Sequence, residues 1–125
     1  MTIEYFAERN PGTRTLPRSV ATRAGGFVFV GGQVARDEDG TIINGAIEAH
    51  TRQTMKNVAY ALALAGCILK DVVKTTVFLK DINDFSAMNE VYAKFFALAP
   101  PARSTVEVAR LPKDALVEIE VIASS

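Results

Sequence analysis

A chain of 125 residues, 49% of them apolar, can build one packed core and is read as a single domain over residues 1–125. Fourteen Lys and Arg offset fourteen Asp and Glu, so the net charge is zero and exerts no general pull toward nucleic acid or an anionic membrane. One cysteine, Cys67, and one histidine, His50, exclude an intrachain disulfide, a cysteine-based zinc site and a His-pair metal motif. No apolar run nears the ~18 residues of a spanning helix, and residues 1–6 carry Glu4 where a secretion signal would be basic and then apolar. The expectation is a cytoplasmic, metal-free domain.

Residues 9–18 hold Pro11, Gly12 and Pro17, which break regular structure and predict a loop. Residues 19–35 predict a hairpin. A short strand over residues 20–23 turns at Gly25-Gly26 into the β-branched and aromatic run Phe27-Val28-Phe29-Val30. That run stops at Gly31-Gly32, where missing side chains leave room for a backbone or a ligand. Asp37-Glu38-Asp39-Gly40 predicts a turn.

Thr51, Met55, Val58, Leu62 and Ala65 recur at helical spacing and predict a helix over 46–65, with Glu48, Arg52 and Lys56 on its other side and Gly66 as its stop. Over residues 72–80, Val73, Thr75, Val77 and Leu79 alternate with Lys74, Thr76, Phe78 and Lys80, the pattern of a strand. A polar cap over 81–84 starts a second helix with Phe85, Met88, Tyr92 and Phe95 along one stripe. Pro100-Pro101 forces extended chain. Strands over 103–108 and 116–123 follow, joined by a turn at Leu111-Pro112-Lys113-Asp114.

The order β-β-α-β-α-β-β describes an α+β domain, a single mixed sheet with two helices on one face. Two helices leave the other face bare. It is expected to carry Leu116, Ile122 and Phe78, and apolar surface of that kind is buried by a partner. Self-association with closed symmetry is the simplest solution, which would set the carboxylates of that face near a subunit boundary.

Few side chains invite chemistry. Arg103 follows the rigid Pro100-Pro101-Ala102 segment and could clamp a carboxylate through two parallel hydrogen bonds, although spacing alone favours a surface arginine. Glu118 and Glu120 interrupt an apolar strand; a buried one would suit proton transfer or water positioning. Neighbours on one strand face cannot flank a sugar from two sides, which sets glycoside hydrolysis aside. His50 is read as a solvated helix residue and Cys67 as an inert apolar one. Arg9, Arg14, Arg18 and Arg23 make the first quarter basic, but without interleaved aromatic rings nucleic-acid binding is a weak reading.

The C-terminal run Pro101-Ala102-Arg103-Ser104-Thr105-Val106-Glu107-Val108-Ala109-Arg110-Leu111-Pro112-Lys113-Asp114, continued by Val117-Glu118-Ile119-Glu120-Val121, closely resembles the signature of the Rid/YjgF family. These are the reactive-intermediate (enamine/imine) deaminases, also labelled L-PSP endoribonucleases. The run from Val73 to Phe85, then Asn89, Tyr92 and Phe95-Phe96, and early Gly32-Gln33, resemble the same family, so the likeness covers nearly the whole chain. It implies a chorismate-mutase-like fold and a homotrimer with ligand clefts between subunits. It implies that Arg103 holds the substrate carboxylate, that Glu118 positions the attacking water, and that Asn89 lies near the site.

Three positions depart from the better-known members. Arg18 stands where a tyrosine is usual, Gly31 where a serine is, and Thr105 where a cysteine is. These belong with Arg103 and Asn89 to the expected substrate-binding set, and Arg18 could meet a second carboxylate on a longer substrate. The implied activity is hydrolytic deamination of 2-imino or enamine acids to 2-oxo acids and ammonia, without metal or organic cofactor. Alternatives are a dedicated catabolic deaminase for a substrate such as 2-aminomuconate, or a non-catalytic trimer binding small carboxylic acids. The ribonuclease role attached to some relatives ranks last, given zero net charge and one helix-borne histidine.

Overall fold

The computed structural model describes residues 2–7 and 16–125. Along the chain come β1 (Glu4–Phe6), β2 (Ala21–Ala24), β3 (Phe27–Gln33), α1 (Ile47–Leu64), β4 (Val72–Leu79), α2 (Phe85–Tyr92), β5 (Ala102–Glu107) and β6 (Val117–Ser124). The strands make one mixed sheet in the order β1-β2-β3-β6-β4-β5. Only β4 and β5 pair in parallel, and α2 supplies the crossover that parallel pairing requires. The α+β architecture is the one the pattern predicts, with one strand more. Three-residue β1 pairs with β2 at the sheet edge and is too short to show an alternation of its own.

Local chemistry explains the elements. Gly25 and Gly26 take φ of +57° and +84°, the left-handed pair a two-residue hairpin turn needs. In α1, Thr51, Met55, Val58, Leu62 and the following Ala65 are buried while Glu48, Arg52 and Lys56 face out. Gly66 closes the helix with its N–H on the Ala63 carbonyl. Before α2, the Asp81 carboxylate accepts from the Asn83 N–H at 2.9 Å. The Glu107 carboxylate accepts from the Ile82 N–H at 2.9 Å, tying the end of β5 to the start of α2.

One face of the sheet is packed. Val117, Ile119, Val121 and Ala123 of β6 are buried there with Val28, Val30, Val77 and Leu79, against Met55, Val58 and Leu62 of α1 and Met88 of α2. The other face is bare. Phe29 stands opposite Ile122 and Phe78 opposite Glu118, with Val106 opposite Phe78 on the next strand. Phe27, Phe29 and Val106 remain exposed on it.

Several expectations change in detail. A register shift between Val72 and Lys74 turns Val72 into the core and Val73 out, so Val73 does not share the face of Thr75 and Val77. Strand β3 runs on through Gly31-Gly32 to Gln33, because a second irregularity lets three steps on β3 match two on β6. Leu116 lies ahead of β6 and packs against the core instead of standing on the bare face. Phe95 falls beyond the end of α2. His50 is not solvated: it lies on the buried face of α1, with Nδ1 lacking a hydrogen-bond partner among the described residues. Of the predicted loop over 9–18, residues 9–15, with Arg9 and Arg14, lie outside the described residues.

Candidate active site

Arg103 is the second residue of β5, paired with Thr75 of β4 on the helix-covered side. Its guanidinium lies 4.8 Å from the ring centroid of Tyr92 and 5.5 Å from that of Phe85. A guanidinium over ring faces is held electrostatically and in orientation. Tyr92 is itself fixed, since its hydroxyl and that of buried Thr75 are 2.7 Å apart. Burial pushes the Tyr92 hydroxyl above the ordinary tyrosine range, against the opposing pull of its bond to Thr75 and of Arg103. Phe85, Asn89 and Tyr92 follow at helical spacings of four and three, so half-buried Asn89 shares the face of α2 that meets Arg103.

Thr105 is two residues along the same strand and therefore on the same side, opposite Val77; its buried Oγ1 has no partner among the described residues. Nor, among the described residues, does any carboxylate form an ion pair with Arg103. Among those residues, too, no three His, Cys, Asp or Glu side chains gather as a metal site would need.

Glu118 lies on the opposite face of the sheet, facing Phe78. It folds over the backbone of Gly32. A Cβ built at Gly32 would stand 2.7 Å from the Glu118 Cδ and 3.0 Å from its Cγ, so only glycine leaves this space to the carboxylate. Burial pushes the Glu118 carboxyl above the ordinary glutamate value, Glu120 pushes the same way, and Arg18 opposes both. A concavity of about 730 Å³, which Glu118 itself does not line, has walls that include Tyr5, Arg18, Phe29, Gly31 and Glu120.

The six residues singled out from sequence thus fall into two groups. Arg103, Thr105 and Asn89 gather on the helix side of the β5 edge. Glu118, Gly31 and Arg18 gather on the bare face, with β4 between the groups. Sequence reasoning missed the roles of Phe85 and Tyr92, which it placed in the core stripe; their spacing around polar Asn89 is the available signal. It also left out Gly32 as the seat of Glu118, which no local pattern reveals.

The chain matches the family model described as Endoribonuclease L-PSP over residues 13–125. The chain belongs to the Rid/YjgF family. Among its relatives, a RutC family protein of Pyrococcus horikoshii is 53% identical over 108 residues, 86% of each chain. The human 2-iminobutanoate/2-iminopropanoate deaminase is 40% identical over 108 residues, 86% of this chain and 79% of its own. In structure, the Escherichia coli protein TdcF, solved with bound serine, has a TM-score of 0.83 at 38% identity, over 90% of this chain and 91% of that one. Imine deamination is thus an activity named within the Rid/YjgF family, while several close relatives carry only the RutC family name. No helix among the described residues is long and apolar enough to cross a membrane.

Proposed function

We propose that this chain is a hydrolytic deaminase of 2-imino and enamine acids, with its reaction centre assembled where two copies of the chain meet. The observation that carries the reading is Arg103. It is a guanidinium backed by two aromatic rings, without a carboxylate partner among the described residues, on a strand whose end is pinned to the turn that leads into α2. Such a group is arranged to receive a small carboxylate in the two-pronged manner arginine favours.

With the substrate carboxylate on Arg103, the adjacent C=N carbon is fixed for attack, and this positioning is the larger share of the catalytic task for an already electrophilic imine. Glu118 takes a proton from water as its oxygen bonds to that carbon and passes it to the nitrogen, giving a carbinolamine; it then takes the proton of the new hydroxyl and delivers it to the nitrogen as the C–N bond breaks and the C=O forms. Water and imine thereby become 2-oxo acid and ammonia, with no other reactant. An enamine enters the same sequence after protonation at carbon to its imine tautomer. Asn89, the Thr105 hydroxyl and the Gly31 backbone line the substrate, and Arg18 borders the far side.

Because Arg103 and Glu118 occupy opposite faces of one sheet, one copy cannot turn both toward a single small molecule. A homotrimer burying the bare face of Phe29, Phe78 and Ile122 supplies the missing half from a neighbour. We read the setting as cytoplasmic; an Arabidopsis relative is named chloroplastic and a fission-yeast one mitochondrial.

The test is a coupled assay in which an amino-acid oxidase generates imines in situ and their loss is followed with and without the protein. Accelerated loss supports the reading, and a rate unchanged by the protein overturns it. A second reading, a trimer that binds small carboxylic acids without converting them, draws on the serine held by TdcF. It predicts ligand binding that needs Arg103 but no turnover.

A further inference from the structure

The turn that feeds β6 is built against backbone preference. Its central residues Lys113 and Asp114 take φ of +56° and +57°, and the Ala115 N–H closes it on the Pro112 carbonyl at 3.1 Å. At the β2–β3 hairpin the chain meets the same demand with two glycines, Gly25 and Gly26. Lysine and aspartate carry a steric cost here that glycine escapes, and such a conformation persists where the surroundings hold it. Both side chains are held. The Lys113 ammonium donates to the Gly40 carbonyl at 3.0 Å, and the Asp114 carboxylate pairs with Lys80 at 2.7 Å. Gly40 belongs to the loop that follows β3, and Lys80 is the residue after β4. These are the two strands that flank β6. Resting on the deaminase reading of Glu118, we propose that Lys113 and Asp114 are positioning residues, whose side chains fix the register in which β6 sets Glu118 over the Gly32 seat.

The tethers reach Glu118 through unbroken structure. On the β4 side, the Lys80 N–H donates to the Leu116 carbonyl at 3.1 Å, and Leu79 then pairs with Val117 and Phe78 with Glu118. On the β3 side, the Asp37 carboxylate accepts from the Asp39 and Thr41 N–H groups, shaping the turn that presents Gly40. The Asn57 side chain on α1 donates to the Val34 and Arg36 carbonyls and so holds the chain between that turn and Gly32. Alternation in β6 does not fix this register by itself. Val117, Ile119, Val121 and Ala123 are all buried, so a slip of two residues keeps apolar side chains inside while it carries Glu118 about 7 Å away from Gly32. Arg103 stands on the other face, on β5, and its hold on a substrate carboxylate does not pass through this turn.

The experiment combines Lys113→Gly with Asp114→Gly, which relaxes the backbone of the turn and removes both tethers at once. The Gly32 amide signal in proton–nitrogen correlation NMR reports the side chain above it, calibrated by its position in Glu118→Ala. In the double variant that signal is expected to move from its wild-type position toward the Glu118→Ala position. With it, kcat for imine hydrolysis should fall by about tenfold while KM stays close to wild type, since a small misplacement of a reacting group is felt in the rate. Asp114→Lys alone should show part of the same loss, and adding Lys80→Asp should reverse it by restoring the pair. A Gly32 signal that stays in place overturns the proposal, whatever happens to Tm, and so does an unchanged kcat in the double variant. If the wild-type protein hydrolyses no imine, the deaminase reading falls, and the Gly32 signal alone decides whether the turn holds Glu118. If the double variant does not fold, Lys80→Gln, which leaves the turn itself intact, is read by the same two measures.

Discussion

The guanidinium of Arg103 lies 4.8 Å from the centroid of the Tyr92 ring, and the Tyr92 hydroxyl is bonded to Thr75 directly beneath. Strand β4, helix α2 and edge strand β5 are joined at this point, so the orientation of the arginine is a property of the fold. Changing Tyr92 to Phe should separate the two roles of the ring. The buried Thr75 hydroxyl loses its partner, at a cost of about 1–3 kcal/mol in unfolding free energy. The ring stays under Arg103, so KM should stay near the wild-type value. Tyr92→Leu removes both contacts and should raise KM as well. Urea unfolding and steady-state kinetics on the two variants check this.

Glycine at position 32 follows from the carboxylate above it. Gly32→Ala would drive a methyl into the Glu118 side chain, which must swing away. A misplacement on the order of 1 Å at a reacting group costs on the order of a hundredfold in rate. We therefore expect kcat to fall by about that factor while the far-UV circular dichroism stays unchanged. Kinetics close to wild type would show that Glu118 is not held where the mechanism needs it.

His50 gives the fold a pH dependence of known sign. Burial holds its folded-state pKa below the ordinary 6.5, although a hydrogen bond to the backbone of Ile43 pulls the other way. Below pH 6.5 the unfolded chain then binds the proton that the folded chain resists, so stability falls as pH drops through and below that value. Thermal melts from pH 8 to pH 5 should show a decline in Tm for wild type that is smaller in His50→Gln. Parallel declines would remove His50 as its source.

Much of this fold could be read from periodicity. The Thr51-to-Leu62 stripe and the β6 alternation lie where the residues put them, because each element buries a regular face. What failed to show was irregular or distant. Val73 faces out because of a register shift that no alternation encodes. His50 looked polar by its neighbours, but the packing of α1 against the sheet decides its burial. The site was legible only in part. Arg103 and Glu118 stood out through resemblance, whereas their separation on two sheet faces depends on the register across β4, which sets Arg103 opposite Thr75 and Glu118 opposite Phe78.

That separation makes a mixing experiment the most direct test of the central claim, that imine hydrolysis draws Arg103 and Glu118 from two copies of the chain. Arg103→Ala and Glu118→Gln should each form trimers by light scattering and each be nearly inactive in the coupled imine assay. Co-refolded in equal amounts, they should recover activity, since with random assembly roughly a quarter of the clefts pair an intact arginine from one copy with an intact glutamate from its neighbour. A mixture as inactive as its components, or a wild-type chain that is monomeric and inactive, would contradict the account.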